Sequence, residues 1–368
     1  MTAKTAKTAK TATHARPVTF GAFSVLECPP PRVPREVYAE LLDLFAYGET
    51  LGLSHAWVAE HHFSDYGTLG GPAVFLAALA SRTNSMRLGT AVSVLPFHDP
   101  LRVAEDYAAL DVISGGRLDF GVGRGYQPGE FAGFGVEMAE ARDRFWEALD
   151  IITTAWKGEP FAHDGAQFRF PEVTVKPRPV QDKVPLYVAS VSPETFDIVL
   201  DRGLGIMGSL LTNSAKSLSG RMREFRERMP GGHDAVLPIL LPVYVGESMD
   251  SAIADVHDEV SWYFDTVGKL LPAPDTKVDA SYQYFRRVAD RTGNVEYAKA
   301  VQAWPVGDAE RVAEMLVDLA RASTADHFIC FFTIGAMEKG KAKASMEQFT
   351  ERVVPAVRRE LGVEEARS

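Results

Sequence analysis

MRLGTAVSVLPFHDPLRVAEDYAALDVISGGRLDFGVG, residues 86–123, passes from one apolar run through a long helical pattern to a second apolar run. The runs at 86–96 and 117–123 are rich in the β-branched and aromatic residues that strands favour. Between them Asp99 suits a helix N-cap, Pro100 the first helical position and Gly115-Gly116 the stop. Leu101, Ala104, Ala108 and Val112 then fall on one helical stripe. A strand, a helix and a strand in this order form a βαβ unit, whose two strands are parallel.

The same alternation extends in both directions. VTFGAFSV (18–25) reads as a first strand, PREVYAELLDLFAYGETLG (34–52) as its helix, and HAWVAE as the second strand. A helix from Gly71-Pro72 to about Thr83 leads into the quoted stretch. After it, a helix from about Ala139 to Lys157 places Phe145, Leu149, Ile152 and Trp156 on one face. Residues 158–183, rich in Pro and Gly, interrupt the pattern as an insertion. PLYVAS (185–190), LGIMGSLL (204–211), LPILLPVYVG (237–246) and HFICFF (327–332) supply four more strands, with helices at SPETFDIVLDRG, 213–229, 307–322 and 341–361. Residues 248–304 form a second, larger insertion. Eight strands alternating with helices predict an α/β fold, a (β/α)8 TIM barrel with insertions, over residues 18–361 as a single domain.

The bulk properties narrow the function. With 39 Lys+Arg against 49 Asp+Glu, the net charge of −10 would repel a nucleic-acid backbone or an anionic membrane surface. Cys28 and Cys330 lack CxxC spacing, which points away from a disulfide framework and a thiolate metal site and toward a cytoplasmic address. Residues 1–17 open with Lys4, Lys7 and Lys10 in a short repeat, lack the apolar segment of a secretory signal, and read as a disordered tail. No run reaches the roughly 18 apolar residues of a membrane span. Small-molecule chemistry is the expectation.

Three motifs carry candidate chemistry. GVGRG (121–125) resembles a dinucleotide fingerprint, but it follows the fourth strand and lacks an acidic partner about 20 residues on. At the mouth of a barrel strand, its glycines and Arg124 could equally hold an anionic ligand or merely permit a bend. WVAEHHFSDYG (57–67) sets His61 and His62 side by side, whereas metal-binding histidines on one helix face are four apart. In extended chain neighbours point to opposite sides, so no metal site is expected from the pair. One histidine at the mouth could serve as a general acid/base, or could be a satisfied structural group beside Glu60. In SPET (192–195), Ser192 suits a helix N-cap, and a helix start can also bind phosphate.

Together, WVAEHHF, RLDFGVGRG with EFAGFG and Arg142, and PLYVASVSPET resemble the bacterial luciferase-like flavin monooxygenases, most closely the luciferase catalytic subunit. The likeness is good over about residues 18 to 210 and looser beyond. It implies a (β/α)8 barrel, usually dimeric and here expected to be a homodimer, that binds reduced FMN at the C-terminal ends of the strands. By the same resemblance Arg124, Arg142, Ser192 and Thr195 match the FMN phosphate grip, and His61 the histidine needed for chemistry. Thr90, Ala91 and Val92 match strand-three residues against the flavin ring, with a non-proline cis peptide between Ala91 and Val92. Two departures stand out: Gly123 replaces a reactive cysteine, and Val191 replaces a glutamate.

The resemblance implies a two-component monooxygenase in which a separate flavin reductase supplies reduced FMN. A flavin C(4a)-hydroperoxide formed with dioxygen would then oxidise a small apolar organic substrate. The aromatics Trp262, Tyr263, Phe264, Tyr282, Tyr284 and Phe285 make the larger insertion a candidate lid, or ordinary packing against the barrel. Alternatives are a deazaflavin-dependent oxidoreductase and a non-catalytic flavin-binding subunit. Luciferase relatives act on aldehydes, but the two departures weaken that substrate for this chain.

Overall fold

The computed structural model describes residues 16–189, 193–229, 236–272, 282 and 301–363. The expected tail up to residue 15, Ser192 and most of the 273–300 segment, with Tyr284 and Phe285, lie outside the described residues.

Parallel strands close into a barrel. In chain order they are β1 (Thr19–Ser24), β2 (His55–Val58), β3 (Arg87–Thr90), β4 (Ser93–Val94) and β5 (Leu118–Gly123). An antiparallel hairpin, β6 (Phe161–Asp164) and β7 (Arg169–Val173), stands apart before β8 (Leu186–Ala189), β9 (Gly205–Ser209) and β10 (Pro238–Pro242) resume the barrel. A small outer pair, β11 (Tyr244–Val245) and β12 (Val306–Gly307), precedes β13 (His327–Phe331), which pairs with both β10 and β1 and completes the ring. β3 and β4 are two halves of one barrel position, both pairing with β5, so the ring has the eight positions expected. The expected third strand, 86–96, therefore breaks in the middle and ends in a 3-10 turn at Leu95–Phe97. Between the pairs Gly89↔Asp119 and Ser93↔Val122 this strand advances one residue more than β5, a bulge, and the Ala91-Val92 peptide within it is cis.

Helices α1 (Pro34–Thr50), α2 (Pro72–Ala80), α3 (Pro100–Ser114), α4 (Pro128–Phe134), α5 (Ala141–Ala155), α6 (Pro193–Asp201) and α7 (Ala215–Arg228) follow in order. Next come α8 (Met249–Asp255), α9 (His257–Leu270), α10 (Ala309–Ser323), α11 (Lys339–Gln348) and α12 (Val354–Leu361). α3 starts as its sequence predicts: the Asp99 carboxylate accepts the N–H groups of Leu101 at 2.9 Å and Arg102 at 3.1 Å, and Gly115 closes the helix at φ 69°. Its predicted stripe needs correction. Ala104 and Ala108 are buried, but Val112 is 45% exposed, because the buried arc is centred on Tyr107 and Asp111 and leaves Leu101 and Val112 at its edge. Asp111 is buried for a reason that apolar periodicity does not register: its carboxylate accepts the N–H groups of Val180 and Gln181, tying the 158–183 insertion to the barrel.

Inside the barrel the indole of Trp57 fills the middle. Glycines make room for it: a Cβ at Gly89 would overlap its ring, and one at Gly21 would crowd both its edge and His55. The Trp57 Nε1–H donates to His327 Nε2 at 2.9 Å, which leaves His327 Nδ1–H to donate to Thr19 Oγ1 at 2.8 Å. Below Trp57 the strand beginnings bring together His55, Arg87, Asp119, Tyr187 and His327, with Arg87 bridged to Asp119. Burial pulls His327 down to about 3, and burial with neighbouring His327 and Arg87 holds His55 well below its ordinary value.

This polar floor makes stability depend on pH. An unfolded imidazole takes its proton near pH 6.5, so between there and the depressed folded value the unfolded chain binds more protons. The stabilisation is complete above pH 6.5 and is lost as pH falls, at about 1.4 kcal/mol per pH unit for each such histidine. Asp119, pushed up to about 6 by burial, works in the opposite sense as pH falls through 6. Urea unfolding from pH 7 to pH 4 is expected to show a steeper loss of stability in the wild type than in His327→Gln, which removes the His327 contribution and leaves Asp119 in place. Equal slopes would contradict the reading. A second prediction concerns Gly123, where a Cβ would overlap Val92. Gly123→Ala is expected to cost about 1–3 kcal/mol and Val92→Ala to recover part of it, a coupling that a double-mutant cycle measures. Zero coupling would count against close packing at this pair.

Candidate active site

With Trp57 filling the barrel, the free volume lies above it, at the C-terminal ends of the strands. A cavity of about 200 Å³ opens there, lined by Phe23, Ala59, Ala91, Val92, Met207 and Leu240 from barrel positions. α9 forms a further wall through Tyr263, Phe264 and Val267, continued by Leu271 just past its end. Its docking requires Gly335, at φ 72°, because any Cβ there would strike the Glu259 carbonyl of α9. The buried Glu27 carboxyl accepts the N–H groups of Gly335 at 2.9 Å and Ala336 at 3.0 Å and so holds that turn.

His61 lines the cavity and is buried. Its Nδ1 lies 3.0 Å from Glu130 Oε1 and 3.1 Å from the Gln127 carboxamide, and its ring packs on Tyr66 at 4.8 Å between centroids. Gly67 permits the approach, since a Cβ there would overlap the His61 Cβ. Glu130 sits in the first turn of α4, a helix absent from the sequence expectations, and also accepts the backbone N–H of His62 at 2.9 Å. Tyr66, Tyr126 and Tyr263 surround this corner, and burial raises all three hydroxyls, Tyr126 to about 12, so they remain protonated near neutral pH.

His62 points elsewhere. Its Nε2 donates to Glu60 Oε1 at 2.9 Å, and His98 Nε2 donates to the same oxygen at 2.6 Å. The second Glu60 oxygen accepts Val94 N–H at 2.9 Å and Ser93 Oγ–H at 3.1 Å. Burial opposes charge on Glu60, yet these donors keep its carboxyl below its ordinary value; burial also lowers His98, but the Glu60 hydrogen bond and charge hold it above its own. Glu60, His62 and His98 have ligand-type atoms within 4.8 Å of one another, a grouping the sequence reading missed because His98 lies far along the chain. Its hydrogen-bond pattern is that of a carboxylate held between imidazoles, and it anchors the segment just after the cis peptide. His61 and His62, in the loop just past β2, thus turn to different carboxylates, Glu130 and Glu60.

Arg124 and Thr195 line the same cavity, as do Ser209 and Thr212. The Arg124 guanidinium also lies 5.3 Å from the Tyr282 ring centroid. Ala91 and Val92 line it too, on either side of the cis bond. Thr90 sits behind them: its hydroxyl donates to Gly121 O at 2.7 Å and accepts Gly121 N–H at 3.0 Å, stitching β3 to β5. Arg142, half-buried in the first turn of α5, is not among the residues lining the cavity. The structure thus gathers His61, Ala91, Val92, Arg124 and Thr195 and leaves Thr90 and Arg142 outside the lining. The sequence reading singled out neither Glu130 nor Gln127, although Glu130 opens the EFAGFG motif already noted and Gln127 lies between that motif and GVGRG.

Comparison with known proteins identifies the family. A family profile described as luciferase-like monooxygenase matches residues 18–327. The alkanal monooxygenase alpha chain of Photobacterium leiognathi is 27% identical over 343 residues, covering 89% of this chain and 95% of that protein. The oxygenase component of the flavin-dependent trigonelline monooxygenase of Acinetobacter baylyi is 26% identical over 339 residues, covering 88% and 90%. In fold, the crystal structure of monooxygenase RslO1 from Streptomyces bottropensis superposes with a TM-score of 0.78 at 24% identity, over 92% of this chain and 99% of that one. The chain belongs to the luciferase-like monooxygenase family.

Proposed function

We propose that the protein is the oxygenase component of a two-component monooxygenase, taking reduced FMN from a separate flavin reductase and oxidising a small apolar organic substrate. One observation carries the reading: a guanidinium and hydroxyls (Arg124; Thr195, Ser209 and Thr212), an apolar face (Ala91, Val92) and a buried histidine (His61) line a single cavity at the mouth of the barrel. That donor set fits a flavin with a phosphate tail, the cation and hydroxyls suiting the phosphate and the apolar face the ring. A relative named as an oxygenase component supports the separate reductase. Among the described residues no helix is long and apolar enough to cross a membrane.

Bound there, reduced FMN with dioxygen would supply the oxidising chemistry. Arg124 and Thr195 would hold the phosphate, with Ser192 and Arg142 assigned to the same grip by resemblance. Ala91 and Val92 would support the ring. The aromatic wall of α9, with Tyr282 over Arg124, would exclude water as a lid. His61 would move a proton at the reacting centre. The working unit in this reading is a cytoplasmic homodimer.

The test is to mix the purified protein anaerobically with reduced FMN and then with oxygenated buffer, following the return of oxidised-flavin absorbance. The expected result is a marked delay relative to free reduced FMN, shortened by His61→Ala and weakened by Arg124→Ala through lost flavin affinity. Immediate return at the free rate would overturn the proposal. Binding of a reduced deazaflavin in place of FMN would point to hydride transfer instead.

A further inference from the structure

Glu130 is a buried carboxylate with no role in the grip described above, and its geometry bears on which end of His61 can react. Glu130 Oε1 receives two contacts, the backbone N–H of His62 at 2.9 Å and His61 Nδ1 at 3.0 Å. An ionised carboxylate only accepts, so Nδ1 must carry the proton. Gln127 lies 3.1 Å from the same nitrogen, and turning its carboxamide places the oxygen there as a second acceptor. With Nδ1 protonated, the neutral ring has its lone pair on Nε2. No hydrogen-bond partner for Nε2 occurs among the described residues, nor is the atom one of the sealed, unsatisfied ones, so it faces the cavity.

We infer that Glu130 is a positioning residue that fixes His61 as a proton acceptor at Nε2, and that the substrate is an aromatic compound carrying an ionisable hydroxyl. The substrate half of this inference rests on the oxygenase reading; the tautomer half does not. The cavity wall is aromatic, lined by Phe23, Tyr66, Tyr126, Tyr263 and Phe264, with the Tyr66 and Tyr126 rings against His61. A phenol placed there loses its proton to Nε2. The O–H bond breaks, its electron pair stays on oxygen, and the new N–H bond uses the imidazole lone pair. The imidazolium so formed is faced by the Glu130 carboxylate, and the electron-rich phenolate is the form that an electrophilic oxidant attacks. A histidine held in the opposite tautomer would donate from Nε2 and could not begin this step.

The experiment uses the full-length protein without flavin, labelled with ¹⁵N in histidine, with His61→Ala identifying the His61 signals. The wild type is expected to show His61 protonated at Nδ1. Glu130→Ala removes the one oxygen that accepts both His62 N–H and His61 Nδ1–H and leaves the Gln127 amide to donate to Nδ1, so the tautomer is expected to reverse, with Nε2 protonated, whereas Glu130→Gln, whose carboxamide oxygen can take the place of that oxygen, is expected to keep Nδ1 protonated. An unchanged tautomer in Glu130→Ala, or an Nε2-protonated wild type, would overturn the positioning role. The probe for the substrate class is 4-nitrophenol, whose ionised form absorbs visible light. At fixed pH, bound probe is expected to be ionised to a greater fraction than free probe, an excess lost in His61→Ala and Glu130→Ala. No binding, or the same ionised fraction in all three proteins, would overturn the phenolic assignment. With reduced FMN and a phenolic substrate, Glu130→Ala is expected to lower kcat by roughly 10²- to 10⁴-fold with little change in KM. If wild type fails to engage reduced FMN at all, the oxygenase reading falls while the tautomer result stands.

Discussion

The indole of Trp57 occupies the space that a TIM barrel would otherwise fill with layers of smaller side chains. Much follows from that. Gly21 and Gly89 must lack side chains to admit it, and His327 must stay neutral to accept its N–H. The polar residues below it are sealed beneath an aromatic plug, and the free volume is displaced to the C-terminal mouth. A cavity at that end, bounded by the last residues of the strands, is a consequence of how the interior is filled.

The EHH stretch directly after β2 organises the mouth by dividing its three side chains. Glu60 grips β4 through Val94 N–H and Ser93 Oγ, fixing the chain just past the cis bond that presents Ala91 and Val92 to the cavity. His62 and His98 supply protons to that carboxylate, while His61 turns inward to Glu130. The structural and chemical halves of the motif are thus adjacent in sequence and mutually supporting: the carboxylate that orients His61 also holds the His62 backbone.

The barrel was legible because each βα unit carries its own punctuation. Asp99, Pro100 and Gly115 mark both ends of α3, and the apolar runs mark all eight strand positions, including HFICFF at the closing seam. What stayed hidden depends on contacts across the fold. Nothing local announces the break between β3 and β4 in a continuous apolar run, and the burial of Asp111 reflects a carboxylate that serves the N–H groups of a distant insertion as well as that of Leu118. In the site, His61 could be singled out by its place at a strand end, and Arg124 by the glycines beside it. Glu130 and His98 could not, since each is defined by a partner more than thirty residues away in sequence. Gly123, conspicuous as a missing cysteine, has a steric explanation in the Val92 side chain that occupies the adjoining space.

The central claim is that one cavity above Trp57 takes the flavin, with Arg124 and Thr195 at its phosphate and the Ala91-Val92 segment against its ring. A crystal structure of the protein with FMN tests this most directly. The account predicts phosphate oxygens within hydrogen-bond distance of Arg124 and Thr195, the ring stacked on Ala91 and Val92, and His61 Nε2 facing the space left for substrate. FMN bound elsewhere, or in this cavity with its phosphate remote from Arg124, would contradict it.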